Sequence, residues 1–243
     1  VNASSTISNL KVAADTELNV AAGKTLSGAV EVAENKTLTL SGTGTLNSAL
    51  NLEGTLQAGA SLTVSGTINI ADNATVSIPA SGTTLSYSGD NLTIGAHTLE
   101  IGGAGTFSNA SGSPIVLAVG DSVLDLTGNG IISGPVRLEG CTLKASGSPT
   151  ISGDITQYDN ATIEVASGQT LTYSGASLNL GANELTLSGG GTLSNTNALV
   201  LNNADSLLSL AGILTIGDVD GNSASNSGKG IQVTSSATLG DYD

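Results

Sequence analysis

The hexapeptide Thr84-Leu85-Ser86-Tyr87-Ser88-Gly89 returns 86 residues later as Thr170-Leu171-Thr172-Tyr173-Ser174-Gly175. Its first four residues alternate polar with apolar, the period of a strand that buries one face, and its Ser-Gly reads as a corner. The corner is the more general signal. It stands at Ser41-Gly42, Ser65-Gly66, Ser88-Gly89, Ser111-Gly112, Ser133-Gly134, Ser152-Gly153 and Ser174-Gly175, in steps of 24, 23, 23, 22, 19 and 22 residues. The chain holds 13 Ser-Gly pairs, where its composition gives roughly four by chance. A recurrence at this period means one structural unit stacked on copies of itself.

Working outward, Asn73-Ala74-Thr75 answers Asn160-Ala161-Thr162, and Thr106-Phe107-Ser108-Asn109 answers Thr192-Leu193-Ser194-Asn195. Residues 73–109 and 160–195 therefore read as a duplication, with Tyr87 and Tyr173 in equivalent places. Eighty-six residues is close to four units, so the long and short periods agree. A second type of corner carries Gly or Asn at Gly23, Asn35, Gly59, Asn73 and Gly168, residues that tolerate a left-handed backbone. Between corners run short alternating segments such as Thr37-Leu38-Thr39-Leu40 and Thr75-Val76-Ser77-Ile78. No window carries a sustained helical stripe.

Short strands whose equivalents recur about every 22 residues cannot form a meander, but they can coil. The expected fold is all-β: a single-stranded right-handed parallel β-helix, or β-solenoid, of about 11 coils of 19–24 residues. Leu40, Val64 and Tyr87 are expected to pile up in successive layers. Residues 1–243 read as one solenoid domain, a segment of a longer protein, with an irregular polar loop over 218–230.

Composition narrows the partners. The net charge of −14, from 20 acids against six bases, leaves no basic patch for nucleic acid or anionic membrane. There is no apolar run long enough to span a bilayer as a helix, and no signal-peptide pattern. Cys141 is alone, so no intrachain disulfide forms, and it reads as a small buried apolar residue.

Few residues invite a chemical reading. Asp218, Asp220 and Asn222, with Gly221 between, place oxygen ligands at alternate positions and are the candidate metal site, a loop for Ca2+; Lys229 stands where an EF-type loop has its bidentate acid. No other cofactor is expected. His97 is the only histidine and falls at a corner. Asp121 and Asp125 share one expected strand and would need an acid partner across a cleft to be catalytic. Tyr87 and Tyr173 read as parts of the fold in preference to a sugar platform. Asn-x-Ser/Thr triplets occur at Asn2, Asn35, Asn73, Asn91, Asn109 and Asn160, as many as such a composition invites. Flat Thr arrays can order water, as in solenoid ice-binding proteins, and Thr37/Thr39 and Thr170/Thr172 fit a Thr-x-Thr pattern of that kind, but along the sequence it does not persist from coil to coil.

Thr37-Leu38-Thr39-Leu40-Ser41-Gly42-Thr43-Gly44-Thr45-Leu46 and Leu185-Thr186-Leu187-Ser188-Gly189-Gly190-Gly191-Thr192-Leu193 resemble the repeats of bacterial autotransporter passengers and filamentous-haemagglutinin-type adhesins. The resemblance implies a non-enzymatic rod, secreted or displayed at the cell surface, that attaches to a host or neighbouring-cell surface, a glycan or matrix, or associates with itself through its ends. The alternatives are a carbohydrate-binding or polysaccharide-degrading β-helix and a self-assembling fibre or surface-layer subunit.

Overall fold

The computed structural model describes residues 1–212, 214–216, 219–221, 231–233 and 237–239. Among them there is no helix, and every paired strand runs parallel to its neighbours. The chain is a β-solenoid. Each coil lays one strand on each of three faces in turn. One coil carries Thr84–Tyr87, Leu92–Ile94 and Thr98–Gly103; the next carries Thr106–Asn109, Ile115–Leu117 and Val123–Leu126. Near the N-terminus the first two faces merge, because Thr25–Val32 and Thr45–Leu52 each run continuously across both. The third face is a sheet of 11 strands from Thr16–Asn19 to Ile231–Val233, so about ten turns separate its ends.

Alternation builds the interior. On the first face Leu85, Phe107, Ile132, Ile151 and Tyr173 form one inward column, each paired with the next. On the third face Val76, Ile101, Leu126, Ala145 and Val165 form another. On the second, Leu92, Ile115, Val136 and Ile155 do the same. All of these are buried in one continuous aliphatic core. Fully burying such a side chain contributes about 1.5–3 kcal/mol, repeated at every layer.

The register differs from the sequence expectation in several places. Coils range from 18 residues, as between Leu38 and Leu56, to 25, as between Leu99 and Leu124. Val64 does lie under Tyr87, but Leu40 pairs with Leu18 and Ala58 on the third face; Leu46 is the residue beneath Val64. Ser41-Gly42 accordingly follows a third-face strand, whereas Ser65-Gly66, Ser88-Gly89 and Ser174-Gly175 follow first-face strands. The duplicated blocks are also out of column. Four coils above Leu85 stands Tyr173, not its counterpart Leu171, and four above Leu99 stands Leu187, not Leu185. The slip is two residues. An even slip keeps inward residues inward, so the core tolerates it where a slip of one would not.

Gly66, Gly89, Gly134, Gly153 and Gly175 at the first-face corner serve close approach, whereas Gly112 faces open space. A Cβ on Gly153 would lie 2.0 Å from the carbonyl oxygen of Gly134, and one on Gly175 2.4 Å from that of Gly153. The second corner type is mixed: Gly23, Asn35 and Gly168 have φ of +67°, +56° and +76°, while Gly59 and Asn73 do not adopt a positive φ. Asn73 instead offers its side-chain Oδ1 to the N–H of Thr98 in the next coil, at 2.7 Å. Within the irregular loop expected over 218–230, Val219–Gly221 instead pairs as a strand with Leu199–Leu201. The open N–H and C=O groups of a top strand demand such a partner. Residues 222–230 lie outside the described residues.

Candidate functional site

Tyr87 and Tyr173 end first-face strands at the corner leading to the second face, and both are buried. Each phenol oxygen accepts the backbone N–H that opens a second-face strand in the coil beneath: Ile68 for Tyr87 at 3.4 Å, Ile155 for Tyr173 at 3.1 Å. Tyr173 also donates to the carbonyl of Ala176 at 2.5 Å, and the Tyr87 ring stacks against Phe107 with centroids 6.3 Å apart. Burial pushes both phenols above their ordinary pKa. These tyrosines tie one coil to the next and offer no ring to a ligand. Among the described residues the exposed aromatic is Tyr158, 63% accessible, with the Arg137 guanidinium 5.1 Å from its ring centre and Glu139 paired to Arg137.

The acids do not converge. Asp121 lies in the exposed turn before Val123–Leu126 and not on that strand as expected, because Val119–Ser122 closes a turn through the Ser122 N–H. Asp125 is on the strand, within an outward ladder of Glu100, Asp125, Lys144 and Glu164 stacked one per coil. Lys144 Nζ is 3.9 Å from Asp125 Oδ2 and 3.9 Å from Glu164 Oε1. Ser146 Oγ donates to Asp125 at 3.0 Å. A lysine between acids on an outer face compensates their charge. His97 Nδ1 lies 3.9 Å from Asp72 Oδ1 at a half-buried corner.

Of the candidate calcium ligands, Asp218 and Asn222 lie outside the described residues, and Asp220 is described only as part of the strand Val219–Gly221. Among the described residues no three His, Cys, Asp or Glu side chains gather as metal ligands would. Cys141 is buried as expected, and burial raises its thiol from 9.0 to about 11, which makes it a poor nucleophile. Asn109 is buried too, its Nδ2 donating to the carbonyls of Ser113 and Pro135, so this triplet offers no acceptor for a glycan.

An open groove of about 350 Å³ follows Thr25–Val32 and Thr45–Leu52, its lining mixing the apolar Val30 and Leu50 with the polar Glu31, Asn51, Thr67 and Asn69. Asn69 Nδ2 donates to Asn51 Oδ1 at 2.6 Å, one rung of a ladder above Glu31.

The outside of the first face holds what the sequence concealed. Thr84, Thr106, Ile131, Thr150, Thr172 and Ser194 form one outward column. Ser86 and Ser108 open a second, which Ser133, Ser152, Ser174 and Thr196 continue through backbone bonds to the coil below. The Thr-x-Thr pairs do not themselves repeat, Thr39 stacking between Glu17 and Gln57, but a mixed Thr/Ser array does run along the first face, broken at Ile131. Unequal coil lengths hide it from a fixed sequence period, and only strand pairing restores the alignment.

Compared with known proteins, the chain matches no family model, no curated protein and no solved structure.

Proposed function

We propose that the chain is a structural and adhesive rod that works outside the cell, secreted or surface-displayed, as its resemblance to autotransporter-passenger and filamentous-haemagglutinin-type repeats implies. One observation carries this reading: among the described residues the first and third faces are continuous stacks of parallel strands, with the second face divided into shorter parallel sheets beside them, and the groove along Thr25–Val32 and Thr45–Leu52 is open. Such a stack is stiff along its axis and repeats its surface at every coil. It suits many weak contacts spread over a length better than one reaction at a point. The partners in this reading are a host or neighbouring-cell surface, a glycan or matrix, or further copies of the chain.

Coating purified chain on a surface and measuring retention of cells and matrix polymers tests the proposal. Saturable retention, unchanged by Asp121→Asn and Asp125→Asn, is the expected result. Release of soluble oligosaccharides from a polysaccharide, stopped by either substitution, would replace the adhesive reading with a hydrolytic one. A carbohydrate-binding reading has one feature in its favour, the exposed Tyr158 ring beside Arg137. It requires Tyr158→Ala to remove glycan retention selectively.

A further inference from the structure

We infer that the outer surface of the first face binds ice: two registered columns of uncharged hydroxyls adsorb the ordered water lattice. The inference rests on the reading of the chain as an extracellular rod and names what one of its faces holds.

The geometry comes first. The rungs are Thr84/Ser86, Thr106/Ser108, Ile131/Ser133, Thr150/Ser152, Thr172/Ser174 and Ser194/Thr196, with Ile131 the single residue lacking a hydroxyl. Successive rungs are about 4.8 Å apart and the two columns about 6.6 Å apart, as parallel pairing and strand rise require. A mesh with these two repeats is of the same order as the oxygen spacings on an ice surface. The side chains are exposed or half-buried. The hydroxyls of Thr84, Thr106, Thr150, Thr172, Ser86 and Ser108 make no hydrogen bond among the described residues, so each can share one with water.

Charge is the second observation, and it is independent of the first. In a chain of net charge −14, the first-face strands from Thr84–Tyr87 to Leu214–Ile216 contain no Asp, Glu, Lys or Arg. The third face, with the same architecture, carries Glu100, Asp125, Lys144 and Glu164. Charged groups orient their own hydration shells and resist giving them up, whereas hydroxyls exchange one water partner for another at little cost. An uncharged ordered lattice is the complement of such a face. The solenoid also fixes the array in advance, so adsorption orders few side chains.

Other occupants fit less well. A crystalline polysaccharide sheet favours flat aromatic rings, and the exposed ring, Tyr158, follows a second-face strand. A second copy would need an apolar centre to its interface. Among the exposed large apolar side chains of the described residues, only Ile131 belongs to this face.

The test is growth of single ice crystals in solutions of the purified chain, with adsorption of labelled protein to an ice surface as a second readout. The expected result is a measurable gap between melting and growth temperatures, faceted crystals and label on the ice. Thr106→Lys with Ser152→Lys should abolish all three while the protein melts as the parent does. The matched third-face pair, Thr142→Lys with Thr162→Lys, should leave them within about a factor of two of the parent. Should the double variant melt early, Ser152→Lys alone takes its place. Crystals that grow as in buffer overturn the inference, as do equal losses from the two pairs. A dimer, or adsorption to crystalline cellulose, that the first-face pair removes assigns the face to another occupant and also overturns it. Retention of cells in the coating assay is unaffected by failure here, so the two readings fall separately.

Discussion

On the first face, the rungs above Thr84 are Thr106, Ile131, Thr150 and Thr172; on the third, the rungs above Thr75 are Glu100, Asp125, Lys144 and Glu164. One turn of chain supplies both, and the inward residues beside them are interchangeable aliphatics: Leu85 and Leu124, Ile132 and Leu143. The interior is under one constraint everywhere, since every layer must exclude water. The exterior is under almost none, so two faces of one coil can diverge into a neutral lattice and a charged ladder without cost to the fold. Difference between faces is therefore where function can be written.

The largest expected effect shows that the interiors are alike. Leu85→Asp and Leu124→Asp each place an unpaired carboxylate where exposure is nil, at a cost of upwards of about 4 kcal/mol. Both should abolish cooperative melting by circular dichroism, whereas Lys36→Asp, on a solvated turn, should be nearly silent. If one face tolerated the substitution, the claim of equal interiors would break.

Next come the corners on either side of the first face. Gly153→Val, at the corner leaving it, drives a side chain against the backbone of Gly134 and should cost about 2 kcal/mol. Gly168→Ala, at the corner entering it, meets open space and pays only for its positive φ, about 1 kcal/mol. Chemical denaturation would rank them, and the reverse order would mean that close approach is not what selects glycine at Ser-Gly.

Alkaline titration probes the buried hydroxyl and thiol groups. Tyr87, Tyr173 and Cys141 are each held neutral by burial, with folded pKa values raised above their unfolded ones. The unfolded chain therefore releases protons first, so stability is full below about pH 9 and falls as pH rises through about 11. Melting temperature should decline over that window. Tyr173→Phe, which also removes the bond to the Ile155 N–H, should lose about 1 kcal/mol at neutral pH and flatten part of the decline.

The smallest effect separates the exteriors. Lys144→Glu turns the third-face ladder wholly acidic and should cost about 0.5–1 kcal/mol, an effect that added salt shrinks. Thr150→Glu introduces a lone charge among hydroxyls and should stay within about 0.5 kcal/mol in stability. Equal salt dependence of the two would erase the electrostatic contrast between faces.

Much of this was legible in the sequence. The Leu-x-Leu and Val-x-Ile alternation marked the inward residues, and the Tyr-Ser-Gly recurrence marked a corner at which tyrosine proved to be buried. What the sequence misplaced, it misplaced by register. Ser41-Gly42 looks like Ser65-Gly66 but leaves a different face, and the repeat at 86 residues is two short of the four-coil column. The hydroxyl columns were invisible for the same cause, since Thr106 and Thr150 are brought within two rungs of each other by coils of 25 and 19 residues. The tyrosines of the duplication pointed away from Tyr158, which no repeat marks.

The sequence by itself determined that this chain coils around an aliphatic axis, because alternation and period are local properties that each segment carries alone. Which residues share a column, which face is free of charge and where hydroxyls gather were decided only by tertiary structure. Those depend on hydrogen bonds between strands 18–25 residues apart, and a corner can gain or lose a pair of residues without disturbing what points inward.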